Sequence, residues 1–285
     1  LADWSAPAQD PAQFCERLRR ALTTPVAHGH LRLETGASIG FAHGPGGDER
    51  LRDMLKQADM ALYHAKSGGR GRAVRYTSDI GSTYTAHVEE LALFRHALGR
   101  GEIVPFCQTQ VDAVSGEIVG CEVLARWNHP RLGTLAPAHF LPLAEELGLI
   151  ADLDRAILDH ALEAHARLAA LGVTLRSISV NVSARRLASP DLLAELTGRD
   201  RLPAGVSFEI LETAHLDTLD ADLSETVAAL KSLGIRIEVD DFGTGHASLA
   251  SILALRPDAL KIDRMFVPGI DGDSAREELM QSLIA

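Results

Sequence analysis

The sequence predicts an α/β fold built on a parallel sheet, and three observations carry that prediction. From about residue 137 onward, short apolar β-rich runs alternate with helix-like segments, the signature of repeated βα units. Glu122, Asn181, Glu209, the pair Asp240-Asp241 and Lys261 each sit at or just past the carboxyl end of such a run. In a (β/α)8 barrel those ends converge on one mouth, so residues far apart in sequence can share ions there. Composition is the third: 285 residues, 46% hydrophobic and 24% charged, suit one large or two modest globular domains.

Taken in order, a helix is expected over 12–24, then two strands within 31–42 turned at Thr35-Gly36. A helix over 49–67 follows from the spacing of Leu51, Met54, Leu55, Ala58, Leu62 and Ala65, and Lys66-Ser67-Gly68-Gly69 stops it. No obvious opening strand pairs with the Ile39 run, so residues 1–76 read as the end of a domain. The Ser, Thr, Gly and Asp content of 77–85 reads as a linker, and a second unit, 86–285, begins with a helix over 86–99. Strands at 103–111 and 117–124 flank Asp112-Ala113-Val114-Ser115-Gly116, which favours a hairpin and an antiparallel pair. Helices over 137–147 and 150–171 lead into the alternation: strand 174–182, helix 183–197, strand 205–211, helix 214–233, strand 235–240, helix 246–254, strand 258–262, helix 273–285.

With 39 acidic against 28 basic residues the formal charge is -11, a poor footprint for tracking polymeric nucleic acid. A small phosphate ligand remains compatible if cations neutralise the site. The chain lacks a long apolar run, and its start, LADWSAPAQD, lacks the regions of a signal peptide. A cytoplasmic chain is expected, though a longer parent could be membrane-anchored. Cys15, Cys107 and Cys121 form no C-x-x-C pair and read as reduced thiols, with Cys107 and Cys121 as small buried hydrophobes. His160 and His165 are off one helical face, and histidine metal ligation is not expected. Asp240 and Asp241 are adjacent, so both can face one site only if the strand ends there. Phe242-Gly243-Thr244-Gly245 favours that ending. Arg236 and Glu238 share the Asp240 side, and an internal ion pair is expected between them.

The segment Gly120 to Pro130, with Ser179-Val180-Asn181-Val182-Ser183, Phe208-Glu209-Ile210-Leu211-Glu212, Val239-Asp240-Asp241-Phe242-Gly243-Thr244-Gly245 and Leu260-Lys261-Ile262-Asp263, resembles the EAL family of cyclic di-GMP phosphodiesterases. The resemblance implies a TIM-like (β/α)8 barrel with an antiparallel first strand. It implies hydrolysis of one phosphodiester of cyclic di-GMP to linear pGpG with Mg2+ or Mn2+, two ions in all. By motif, Glu122, Asn181, Glu209, Asp240 and Asp241 would be metal ligands. Lys261, with Glu122 and Asp240, would form the catalytic group, Lys261 assisting the attacking water. Gln108, Arg126 and Asp263 match substrate-binding positions, although Arg126 beside Trp127 could equally stack and pack. Glu212, Gly243, Thr244 and Gly245 would support the loop, although Glu212 could equally serve as a helix N-terminal acid. Hard cations prefer such oxygen donors, and two of them can activate water and stabilise a leaving oxygen.

The motif reads Glu122-Val123-Leu124 where the family has alanine in the middle, a packing change that leaves the ligand untouched. The family continues beyond Ala285 with two further βα units, so the barrel is expected to be incomplete in this chain. Residues 1–76 resemble the closing part of a GGDEF domain, the diguanylate cyclase fold, through Ser38-Ile39-Gly40-Phe41-Ala42, Ala58-Asp59-Met60-Ala61-Leu62-Tyr63 and Lys66 to Arg72. Gly46-Gly47-Asp48-Glu49-Arg50 follows the Ile39 strand, whereas the true signature precedes it, so cyclase activity is not expected. The alternatives to an enzyme are a cyclic di-GMP receptor or a protein-interaction module built on an inactive EAL domain. A bifunctional parent with a complete cyclase half is a third reading. The resemblance also implies a homodimer, and an upstream sensor domain is possible in the parent.

Overall fold

A computed structural model of the chain describes residues 10–284 apart from 30, 45–47, 174, 200–201, 203–204, 212–220, 245–254 and 270–273. The chain divides into two compact units between Ala92 and Leu93.

In the first unit, helix α1 (Pro11–Leu22) starts where Asp10 accepts a hydrogen bond from the Ala12 amide, with proline in its first turn. Strands β1 (Val26–His28) and β2 (Leu31–Leu33) pair antiparallel. Strand β3 (Ile39–Phe41) instead pairs in parallel with β4 (Ala73–Arg75), so the expected pairing within 31–42 does not form. Helix α2 (Asp48–Ser67) crosses between β3 and β4 and packs on β3. Gly40 permits that approach: a Cβ there would lie 2.1 Å from the Leu62 backbone nitrogen.

Helix α3 (Ser78–Ala97) occupies the stretch read as a linker. Its Ser and Thr hydroxyls do not break it, because Ser82, Thr83 and Thr85 each bond back to the carbonyl four residues earlier.

The second unit is built on one sheet in the order β11-β10-β9-β8-β6-β5, with β7 pairing β6. Its strands are β5 (Ile103–Val111), β6 (Ile118–His129), β7 (Gly133–Leu135), β8 (Ser177–Asn181), β9 (Val206–Leu211), β10 (Arg236–Phe242) and β11 (Ala259–Ile262). Strands β6, β8, β9, β10 and β11 run parallel, and β5 lies antiparallel to β6 as the hairpin signal predicts. The Asp112 carboxylate closes that hairpin by accepting from the Val114 and Ser115 amides. Strand β7 escaped the sequence reading because three residues carry no periodicity.

Helices α4 (Pro137–Leu147) and α5 (Ile150–Ala170) are separated by Gly148 in the left-handed region at φ 70°. The segment read as one helix over 183–197 is two, α6 (Ala184–Leu187) and α7 (Pro190–Thr197). Proline at 190 forces the break, and Ser183 and Ser189 cap the two starts. Helix α8 (Ala221–Ser232) precedes β10, a 3-10 turn (Arg264–Phe266) follows β11, and α9 (Ser274–Ile284) closes the chain. The expected helix over 246–254 lies outside the described residues.

The core alternates along the central strands. Ile178, Val180, Phe208, Ile210, Ile237 and Val239 are fully buried. Under β6, Trp127 is wholly enclosed, with ring contacts to Phe94 at 5.2 Å and His129 at 4.5 Å, and its indole donates to Glu102 Oε2 at 3.2 Å. Val123 is buried beside Cys107 and Val180 in register, so the strand takes the two extra methyl groups. Cys121 is buried as expected, but Cys107 is exposed because β5 is an edge strand.

Candidate active site

Parallel register places the acidic positions side by side. Glu122 is level with Ser179, Asn181 with Glu209, and Glu209 with Glu238. Side chains two apart on one strand share a face. Glu122, Glu209 and Asp240 offer carboxylate oxygens that all lie within 4.8 Å of one another. Lys261 sits among them, its Nζ 2.9 Å from Glu122 Oε2, 2.8 Å from Glu209 Oε2 and 3.2 Å from Asp240 Oδ1. Asn181 Nδ2 donates to Glu122 Oε1 at 3.0 Å, which leaves its carbonyl oxygen for a cation.

Asp241 lies beside this cluster of three carboxylates, on a backbone the sequence reading did not foresee. The strand does not end at Asp240; it continues through Phe242 with a register shift between Val239 and Phe242. Asp241 takes a left-handed backbone at φ 56°, and its amide is held by Asp240 Oδ1 at 3.0 Å. Aspartate tolerates this conformation because its short side chain bonds locally. Next to it Gly243 has φ 102°, and a Cβ there would lie 2.5 Å from the Phe266 ring, so glycine is required on both counts. Thr244 bonds through its amide to the Asp241 carbonyl. Glu212 and Gly245 lie outside the described residues.

The electrostatics are those of a crowded acid cluster. Burial pushes the Glu209 carboxyl up to about 7, against the pull of Lys261 and Ser179. Burial would lower Lys261, but hydrogen bonds to Glu209 and Glu122 outweigh it and hold the ammonium above the ordinary lysine value. Asp241 is raised by burial and by the negative charges of Asp240 and Asp263. One oxygen of Glu209, Oε1, is buried with no hydrogen-bond partner. A buried carboxylate with an orphaned oxygen, in a cluster with Glu122 and Asp240, is a donor set that a hard divalent cation satisfies.

The remaining expected residues are less concentrated. Gln108 is exposed on β5, opposite Glu122 in register. Arg126 lies four residues further along β6, opposite Val104 in register, with its guanidinium 5.5 Å from the Phe106 ring centre and Nη1 donating to the Ala125 carbonyl at 2.7 Å. It therefore stacks on Phe106, not on Trp127, whose ring points to the other face. Asp263 starts the 3-10 turn by accepting from the Met265 amide at 2.6 Å, and its carboxylate lies close enough to Asp241 to raise it. The Arg236–Glu238 pair does not form: Arg236 is exposed at the strand start near Asp258, while Glu238 is buried.

Two contributors were missed by sequence reasoning. Ser179, fully buried, bonds Glu209 and receives Gln110 Nε2 at 3.3 Å. Strand alternation, two residues before Asn181, would have found it. Asp154 on α5 accepts from both the amide (3.0 Å) and hydroxyl (2.5 Å) of Ser183, fixing the turn after Asn181. No local signal marks it, because the contact spans 29 residues.

Residues 92–285 match the EAL domain family, two thirds of the chain. The chain belongs to the EAL family. Residues 1–72 match the diguanylate cyclase GGDEF domain family. The EAL chain is 32% identical over 280 residues to the bifunctional diguanylate cyclase/cyclic di-GMP phosphodiesterase MucR of Pseudomonas aeruginosa, covering 97% of this chain and 41% of that protein. It is 29% identical over 278 residues to the cyclic di-GMP phosphodiesterase PdeR of Escherichia coli, covering 95% and 41%. The chain thus spans less than half the length of these curated relatives. Among solved structures, the PaMucR phosphodiesterase in complex with c-di-GMP matches with a TM-score of 0.58 at 32% identity, over 69% of this chain and 80% of that one. The FimX EAL domain from Pseudomonas aeruginosa bound to c-di-GMP matches with a TM-score of 0.57 at 25% identity, over 68% and 78%. The EAL unit accordingly has the TIM-like barrel fold of its neighbours, with β5 as the antiparallel first strand. None of the described helices is long and apolar enough to cross a membrane.

Proposed function

We propose that this chain carries a metal-dependent phosphodiesterase that opens cyclic di-GMP to linear pGpG. The observation behind the reading is the convergence of Glu122, Glu209 and Asp240 with the orphaned Glu209 oxygen, beside Asn181 and Asp241, on the EAL framework. Glu122, Asn181, Glu209, Asp240 and Asp241 would hold Mg2+ or Mn2+. Two such ions, when bound, supply Lewis acidity to the phosphoryl group and lower the pKa of water. Lys261 keeps its proton and stands where an attacking water can be oriented. Arg126 presents a guanidinium suited to a phosphate oxygen pair, and Gln108 and Asp263 flank the acid cluster as nucleotide contacts. Ser179 holds Glu209 in place from below.

A receptor without turnover is the second reading, favoured by the likeness to an EAL domain solved with c-di-GMP bound. A homodimer, and a sensor domain in a longer parent, complete the proposal. Hydrolysis of cyclic di-GMP with Mn2+, followed by chromatography of pGpG, tests it beside Glu122→Ala. Turnover lost in the variant supports the enzyme; nucleotide binding without turnover in the parent sequence leaves a receptor.

A further inference from the structure

Three carboxylates within 4.8 Å of one another repel, and the described structure answers them with one ammonium group. Lys261 Nζ is within 3.2 Å of an oxygen from each, and Glu209, whose side chain is fully enclosed, makes the shortest contact. A divalent ion bound by these oxygens would sit about 2.0–2.6 Å from them. Lys261 Nζ already lies 2.8–3.2 Å from an oxygen of all three side chains, so an ion bound at that point would overlap it, and the two exclude one another from the position. The lysine has a way out: its side chain is 27% exposed and rides on a flexible four-carbon stem.

We infer that Lys261 is the resident cation of the acid cluster, competing directly with the divalent metal, so that metal binding requires Nζ to leave. The inference rests on the metal-site reading above and adds an order of events. Until metal arrives, the ammonium neutralises the carboxylates and holds β6, β9, β10 and β11 in register around them. Once displaced, the same ammonium remains tethered at the rim on β11, free to face a phosphate or a water. The group that neutralises the cluster before loading becomes available to the reaction only after it.

The test is Mn2+ binding to the whole chain without nucleotide, read from the free-ion electron paramagnetic resonance signal. Lys261→Met removes the charge and keeps most of the stem, while Lys261→Arg keeps the charge. The Met variant is expected to bind Mn2+ at least about 10-fold more tightly than the parent, the size of effect expected for removing one competing charge. The Arg variant should bind no more tightly than the parent. Thermal melting gives a second readout: Mn2+ should raise the melting temperature of Lys261→Met by more than it raises the parent's. Equal or weaker binding by Lys261→Met, or equal gains from the Met and Arg variants, would overturn the competition while leaving the metal site intact. Absence of Mn2+ binding in every protein would overturn the metal-site reading and the competition with it.

Discussion

The Arg186 guanidinium is the sharpest place to test how the turn after β8 is held. Its side chain is 2% exposed on α6, five residues after Asn181, and its partner is Glu195 on α7. Glu195 is 28% exposed and also meets Arg155 at 2.9 Å. Replacing Glu195 by glutamine takes the ion-pair partner from a buried cation and leaves the nearby Asp154 carboxylate as partial compensation. Stranding one member of a fully buried pair costs about 3–5 kcal/mol. Solvent at Glu195 reduces that, and we expect about 2–3 kcal/mol, or roughly 4–12 °C in melting temperature for a unit of this size. The Arg155 contact, between partly exposed side chains, adds at most about 1 kcal/mol. Replacing Arg186 by methionine as well removes the stranded charge, so the double variant should recover most of the loss. Urea unfolding of parent, both single variants and the double variant closes the cycle. A Glu195→Gln protein that unfolds with the parent, or a double variant no better than Glu195→Gln, would refute the reasoning.

Other consequences can be checked directly. Gly243→Ala meets both the Phe266 ring and an unfavourable φ, so it should cost about 1–3 kcal/mol and displace the Asp241 loop, and adding Phe266→Ala should restore only part of the loss because the backbone strain stays. Trp127→Ala should cost about 3–5 kcal/mol by denaturant unfolding, whereas Trp127→Phe, which keeps most of the contact with Phe94, should cost much less. Burial pushes the Cys121 thiol up to about 11, so iodoacetamide at pH 8 should label exposed Cys107 first, and Cys121 should gain as pH rises toward that value; equal rates at pH 8 by peptide mass spectrometry would contradict its burial. Chelation with EDTA should abolish cyclic di-GMP hydrolysis and added Mn2+ should restore it, while hydrolysis that survives EDTA would exclude the metal reading.

Much of this was legible in the sequence, because strand ends and helix caps are local matters. The Asp112 to Gly116 hairpin, the separate helices over 137–147 and 150–171 and the β8 to β11 alternation all follow from residues within a turn of one another. What could not be read depended on partners remote in sequence. The Ile39 strand pairs with Ala73–Arg75 across an intervening helix, and Asp154 reaches Ser183 from α5. The 77–85 segment misled because Ser and Thr favour turns unless, as here, their hydroxyls satisfy carbonyls of their own helix. The strand was expected to end at Asp240; it continues through Phe242 instead, with a register shift and a left-handed Asp241. The ion pair assigned to Arg236 and Glu238 failed because sharing a face does not make two side chains of one strand meet when one end opens to water.

The bond from Lys261 to Glu122 closes a span of 139 residues. Contacts of such high sequence separation are made late, since the chain must first surrender the entropy of the intervening segment. Every strand from β6 to β11 has to be paired in its native register before that ammonium and those carboxylates meet. During synthesis the cluster therefore stays unassembled until β11 has left the ribosome, and the nascent chain cannot sequester cations through a half-built centre. On the metal-site reading, ion uptake would then report that the sheet is paired through β11 and nothing earlier.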